Sequence, residues 1–146
     1  MSAPTTARVG EALDTVLDPC SVFNGTRLSI VELGMVDEFR VDKGGEVFVR
    51  LFLDDPTCIF FFEISRMLRE AVGALDGVSE IEIEIKTDEL WTEERIAPAA
   101  RKRLESIRAR RRELQDERGV AAGWPLPMVD PELSGTPLPM VREPSR

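Results

Sequence analysis

Apolar positions recur with two different periods along the first hundred residues, and each period predicts a different kind of element. In "TTARVGEALDTVL", Val9, Ala12, Leu13, Val16 and Leu17 return at intervals of three and four. They share one face of a helix that Pro19 brings to an end. "DPCSVFNGTRLS" has no period and reads as a loop, with Asn24-Gly25 as its turn signal. "MVDEFRVD" and "EVFVRLFL" flank Lys43-Gly44-Gly45, whose glycines supply the positive-φ positions of a hairpin. Helical spacing returns over residues 60–75, and Gly77 stands where a C-cap is expected. "VSEIEIEIK" sets Ile81, Ile83 and Ile85 against Glu80, Glu82 and Glu84, a strand with one face in the core and one in water. "APAARKRLESIRARRRELQDERG" then predicts a long helix, with Pro98 near its first position and Gly119 just past its end.

The order is α-β-β-α-β-α. Tightly joined strands must run antiparallel, and a strand that returns through a helix lies parallel to the one before it. The predicted class is therefore α+β, a small three-stranded mixed sheet with helices on one face. Residues 29–31 would make it four-stranded. This domain is drawn as residues 1–118. Residues 119–146 hold 6 of the 10 prolines and no period, so they read as a separate proline-rich tail.

Composition narrows the chemistry. The chain has no histidine and no tyrosine. Histidine-based triads, the usual catalytic zinc sites and the commonest general base are all excluded. No apolar run approaches the roughly 18 residues of a membrane span, and the N-terminus lacks a signal-peptide core. A cytoplasmic location is expected, with Cys20 and Cys58 reduced. Residues 1–96 carry a net charge of −11 and residues 97–118 a net +4. The basic helix has no interleaved aromatics, and Leu104, Ile107 and Leu114 mark a packing stripe. It reads as a solvated face or a dock for an acidic partner, not as a nucleic-acid surface. Trp91, just after an edge strand, reads as a cap on the core or as an exposed partner anchor.

Two residues carry the candidate chemistry. Cys58, in "DDPTCIFFFEI", lies between a strand that stops near Leu53 and a helix that starts near Phe60. The unpaired N–H groups of a first helical turn would favour its thiolate, while a buried cysteine in the same place would be a small hydrophobe. Cys20 alone is a loop cysteine. If the first helix packs antiparallel over the sheet, its C-terminal loop reaches the edge from which "DPTC" emerges. Cys20 and Cys58, with Asp18 or Asp55, would then form a partial metal site. A second subunit, a small thiol or a client's own ligands would close it.

These segments, with their spacing, resemble the PaaD/SufT-like metal–sulfur cluster assembly family. "EALDTVLDPC", "SIVELGMV", "DDPTC", "LDGVSEIEIEI" and "LWTEERIAPAARKRL" follow its pattern over residues 9 to about 105. The resemblance implies a small α+β domain that assists maturation of iron–sulfur or iron-dependent proteins, with Cys58 as the residue most closely tied to that role. Asp18-Pro19, Leu33-Gly34 and Glu32 fall on the family's other marked positions. Two departures stand out: Cys20 occupies the place of a glutamate, and Ile59 that of a proline. The variant is similar to the branch that accompanies bacterial soluble di-iron monooxygenases. A soft thiol in place of a hard carboxylate favours iron–sulfur or thiophilic metal. The reading that follows is a non-catalytic maturation factor. It would bind iron or an iron–sulfur cluster transiently and pass it to an acceptor apoprotein, as a monomer or a homodimer. The alternative is an assembly or chaperone module that meets its client through "CIFFF" without touching metal.

Overall fold

The computed structural model describes residues 2–118. Gly119 and the proline-rich tail lie outside the described residues. Helix α1 (Thr6–Asp14) opens on Thr5, whose hydroxyl accepts from the Arg8 N–H at 3.3 Å. It buries Val9 and Leu13, and Val16 continues the buried stripe past its end. A second, short helix α2 (Pro19–Phe23) replaces the expected loop. Asp-Pro at its start supplies both a capping carboxylate and a residue with φ already helical, a helix signal that the lack of apolar period concealed.

Strands β1 (Val36–Val41) and β2 (Glu46–Leu51) pair antiparallel, and β3 (Glu80–Ile85) pairs parallel with β2, which is central. The sheet has three strands among the described residues. Residues 29–31 do not add a fourth. Ser29 makes a single antiparallel bridge to Leu17, and the chain then turns tightly, with Met35 N–H bonded to Ile30 O at 2.9 Å. At the hairpin only Gly45 takes a positive φ, 85°, and a Cβ there would lie 1.9 Å from Gly77 O.

Helix α3 (Phe61–Gly73) packs on α1 and β3 and buries Ile64, Leu68 and Val72 in the core cluster that also holds Val47, Val49 and Leu51 of β2. It ends on Ala74 in right-handed conformation, so Gly77 is not its cap and instead turns the chain into β3. A 3-10 turn (Glu93–Arg95) leads into helix α4 (Pro98–Glu117). Ala100 and Leu104 of α4 are buried, Ile107 is half-buried and Leu114 is exposed. Met1–Ala109 form one compact unit; of the second, Arg110–Arg118 are described.

Among the described residues no helix lies on the other face of the sheet, yet Phe48 and Phe52 on it are buried. Arg40 and Arg50 lie over the Phe48 ring at 4.0 and 5.4 Å, and Arg95 and Lys86 over Phe52 at 3.6 and 5.2 Å. Ion pairs hold these cations in place: Arg40 with Glu38, Arg50 with Asp37, Glu38 and Glu84, Lys86 with Asp37, and Arg95 with Glu89. Charged heads stay in water while their stems and planes exclude it from the rings. No helix among the described residues is long and apolar enough to cross a membrane.

Candidate functional site

Strand polarity gathers three connections at one end of the sheet. Val36, Leu51 and Ile85 are register partners there. The segment entering β1, the loop leaving β2 and the segment leaving β3 therefore meet. The first carries Asp18 and Cys20, the second Asp54, Asp55 and Cys58, the third Trp91.

The Asp18 carboxylate accepts from the Ser21 N–H at 2.8 Å and so caps α2. The buried Ser21 hydroxyl lies 2.7 Å from Asp18 O and 2.9 Å from Leu28 O, and accepts from the Leu28 N–H. It clasps α2 to the chain that returns toward β1, leaving Cys20 exposed. In the second connection, Asp55 accepts from the Thr57 N–H at 2.7 Å and the Thr57 hydroxyl at 2.6 Å, and its carbonyl accepts from the Cys58 N–H. This turn delays α3, whose N-cap is Phe60. Cys58 thus stands two residues ahead of the cap rather than in the first helical turn, half-buried against the core.

Cys20 and Cys58 line one cavity of about 200 Å³, together with Asp18 and Asp54. Leu28, Met35, Leu53, Ile64 and Trp91 form apolar wall. Trp91 is a core cap: its indole N–H donates to Leu33 O at 2.6 Å and its backbone N–H to Leu53 O at 2.8 Å. The Leu33-Gly34 turn fits against the 3-10 segment, and Glu32 bonds reciprocally with Ser29 while pairing with Arg103 at 2.9 Å. Burial pushes the Glu32 carboxyl up, but Arg103 and Ser29 outweigh it and hold the group below its ordinary value.

Of the expected site residues, the fold brings together Cys58, Cys20 and Asp18. Asp55 points its carboxylate into its own turn, and Asp54 lines the cavity instead. The pattern "DD" gave no means of choosing between them. No group of three His, Cys, Asp or Glu side chains among the described residues is arranged to hold a metal ion. Phe23, Ile59 and Phe62, within four residues of Cys20 or Cys58 along the chain, are 94%, 78% and 79% exposed. The sequence marks Ile59 and Phe62 within "CIFFF"; Phe23 carries no such signal because its segment has the pattern of a loop.

Burial pushes the Cys20 thiol up, and the neighbouring Asp18, Cys58 and Asp54 add to the effect. Burial also raises the Asp18 carboxyl, against the opposing Ser21 N–H bond, with Asp54 raising it further. A carboxyl raised by folding contributes stability below its unfolded value and loses it as pH climbs through the folded one. Asp18→Asn keeps the capping oxygen and removes the charge. Its melting temperature is expected to gain on the parent's as pH rises from about 4 to 7, and Cys20 alkylation should shift to lower pH. Asp18→Ala loses the cap and should cost about 1 kcal/mol at either pH. Equal pH profiles for Asp18→Asn and the parent would contradict this.

The fold thus sets two free thiols on one cavity at one end of a small mixed sheet. The profile described as iron-sulfur cluster assembly protein matches residues 6–85, more than half of the chain, and the chain belongs to that family. An uncharacterized protein of Methanocaldococcus jannaschii is 32% identical over 75 residues, covering 51% of this chain and 74% of that protein. An iron-sulfur cluster carrier protein of Mycobacterium leprae is 30% identical over 93 residues, 62% of this chain but only 23% of the carrier. Among solved structures, a conserved hypothetical protein of Thermotoga maritima is similar at 29% identity, with a TM-score of 0.59, over 71% of this chain and 97% of its own. The family resemblance drawn from the sequence is thereby borne out.

Proposed function

We propose that the protein is a maturation factor that takes up iron or an iron–sulfur cluster as cargo and passes it to an acceptor apoprotein. Cys58 is the principal ligand and Cys20 the second, with Asp18 and Asp54 as neighbouring carboxylates. The observation that carries this reading is that the chain's two cysteines line one cavity at the meeting point of three connections. Soft thiolates suit iron–sulfur cargo, and too few donors in one chain suit release. The protein does no bond-making of its own beyond ligand exchange. The acceptor assigned from the branch resemblance is the hydroxylase of a soluble di-iron monooxygenase, in the cytoplasm, where thiols stay reduced.

Ligands must lose their protons before they bind iron. The raised Cys20 thiol therefore makes loading pH-dependent, stronger at pH 8 than at pH 6.5. Anaerobic incubation with ferric and ferrous iron together with sulfide should give a visible chromophore. Cys58→Ser is expected to abolish it, and Cys20→Ser to weaken it and flatten the pH dependence. Delivery is read as the rate at which an apo four-cysteine ferredoxin acquires its cluster. If Cys58→Ser delivers as fast as the parent, cargo binding is not the function. The exposed Phe23, Ile59 and Phe62 would then favour the metal-independent assembly module.

A further inference from the structure

These 146 residues hold two cysteines and no histidine, so residues 119–146 add no thiolate or imidazole. Protein-held iron–sulfur clusters take about four ligands, thiolates by preference. Asp18 and Asp54 are hard donors poorly matched to such a cluster, and Asp18 already accepts the α2 capping bond. One chain therefore supplies half of a ligand set, both halves of it on a single opening. The surroundings of that opening fit a second copy better than water. Phe23 follows Cys20 closely in α2, and Ile59 and Phe62 follow Cys58. All three side chains are largely exposed, each within four residues of a thiol that lines the cavity.

We infer that the cargo cluster is held between two copies of this chain, each contributing Cys20 and Cys58, and that the protein is a dimer only while loaded. This rests on the cluster-carrying reading above and names the partner that completes its site. Loading is ligand exchange without redox change: four S–H groups release their protons to solvent as four Fe–S bonds form, displacing the cluster's exogenous ligands. The exposed apolar side chains of the two copies meet across the cluster and lose contact with water. Asp18 and Asp54 of both copies face one another over the same anionic cluster and oppose the closure. The loaded dimer therefore depends on its Fe–S bonds. Once an acceptor takes the cluster, repulsion separates the copies and frees those side chains.

The test uses the full chain, reconstituted anaerobically with ferric and ferrous iron and sulfide, with and without glutathione, and sized by light scattering. The coloured species is expected at twice the 16.4 kDa of one chain, with or without glutathione. Iron should amount to one atom per chain for a two-iron cluster or two for a four-iron cluster. Differently tagged copies should co-purify when loaded and separate on chelation. Phe62→Glu, on an exposed side chain that the fold does not need, should lower the dimer fraction several-fold. Asp54→Asn should raise it. A coloured species with the mass of one chain overturns this inference and leaves the carrier reading standing. So does a dimer whose population is the same without iron. Absence of colour in every form overturns both.

Discussion

Gly34→Ala is expected to lower the melting temperature by about 10–25 °C. Gly34 holds φ at +68°, a region that costs an L-residue about 1–2 kcal/mol. A Cβ there would lie 2.0 Å from Arg95 O and 2.6 Å from its carbonyl carbon, so backbone has to move. Forced overpacking of that kind costs about 1–3 kcal/mol more. The displaced pieces are parts of the site: Leu33 O is the acceptor for the Trp91 indole, and Ile96, next to Arg95, lines the cavity. Gly10→Ala is the control. Its Cβ would sit 3.4 Å from the Phe39 ring with no positive φ, inside α1, where alanine is favoured over glycine by about 1 kcal/mol. Calorimetry on the pair decides. Gly34→Ala melting within a few degrees of Gly10→Ala would mean that the turn and the 3-10 segment are not packed as described.

The elements of this fold were legible where one period ran long enough to be read. The Ile/Glu alternation marks β3, and the 61, 64, 68, 72 series gives α3 its buried face. Hairpin and parallel return then follow from chain connectivity. What escaped were features that depend on single hydrogen bonds. Asp18 and Ser21 make a helix out of five residues that have no apolar period. Asp55 turns its carboxylate back on Thr57 and delays the start of α3, so a cysteine expected in a first helical turn lies ahead of it. Such local side-chain bonds compete with periodicity and leave almost no trace in it.

The site was half legible for a related reason. That the Cys20 and Cys58 segments could meet follows from strand polarity alone. Asp54 rather than Asp55 facing the cavity, and Phe23 standing exposed beside Cys20, follow from the two turns just described. Family resemblance supplied Cys58 but not Cys20, which stands where the pattern has glutamate. The geometry gives Cys20 its meaning by setting it on the same opening.

Phe52→Ala is expected to cost about 3–5 kcal/mol, comparable to a deletion in the main core, although no helix among the described residues covers it. Phe52 is 1% exposed because Arg95 and Lys86 close over its ring, on the side of the sheet away from α1 and α3. Truncation removes the buried ring and leaves two cations without a face to rest on. Phe52→Leu separates the contributions: it keeps most of the apolar area and loses the ring quadrupole, so about 1–2 kcal/mol is expected. Chemical denaturation of both variants provides the measurement. A cost below about 1 kcal/mol for Phe52→Ala would show that the charged roof admits water and that this face is surface, not core. The functional consequence is directional. Arg95 touches Phe52 with its guanidinium and Gly34 with its carbonyl, so loosening the roof also loosens the turn that positions Leu33 and Trp91. Phe52→Ala should therefore weaken cluster loading even at temperatures where the chain is folded, whereas Phe48→Ala, whose cations do not touch that turn, should affect stability alone.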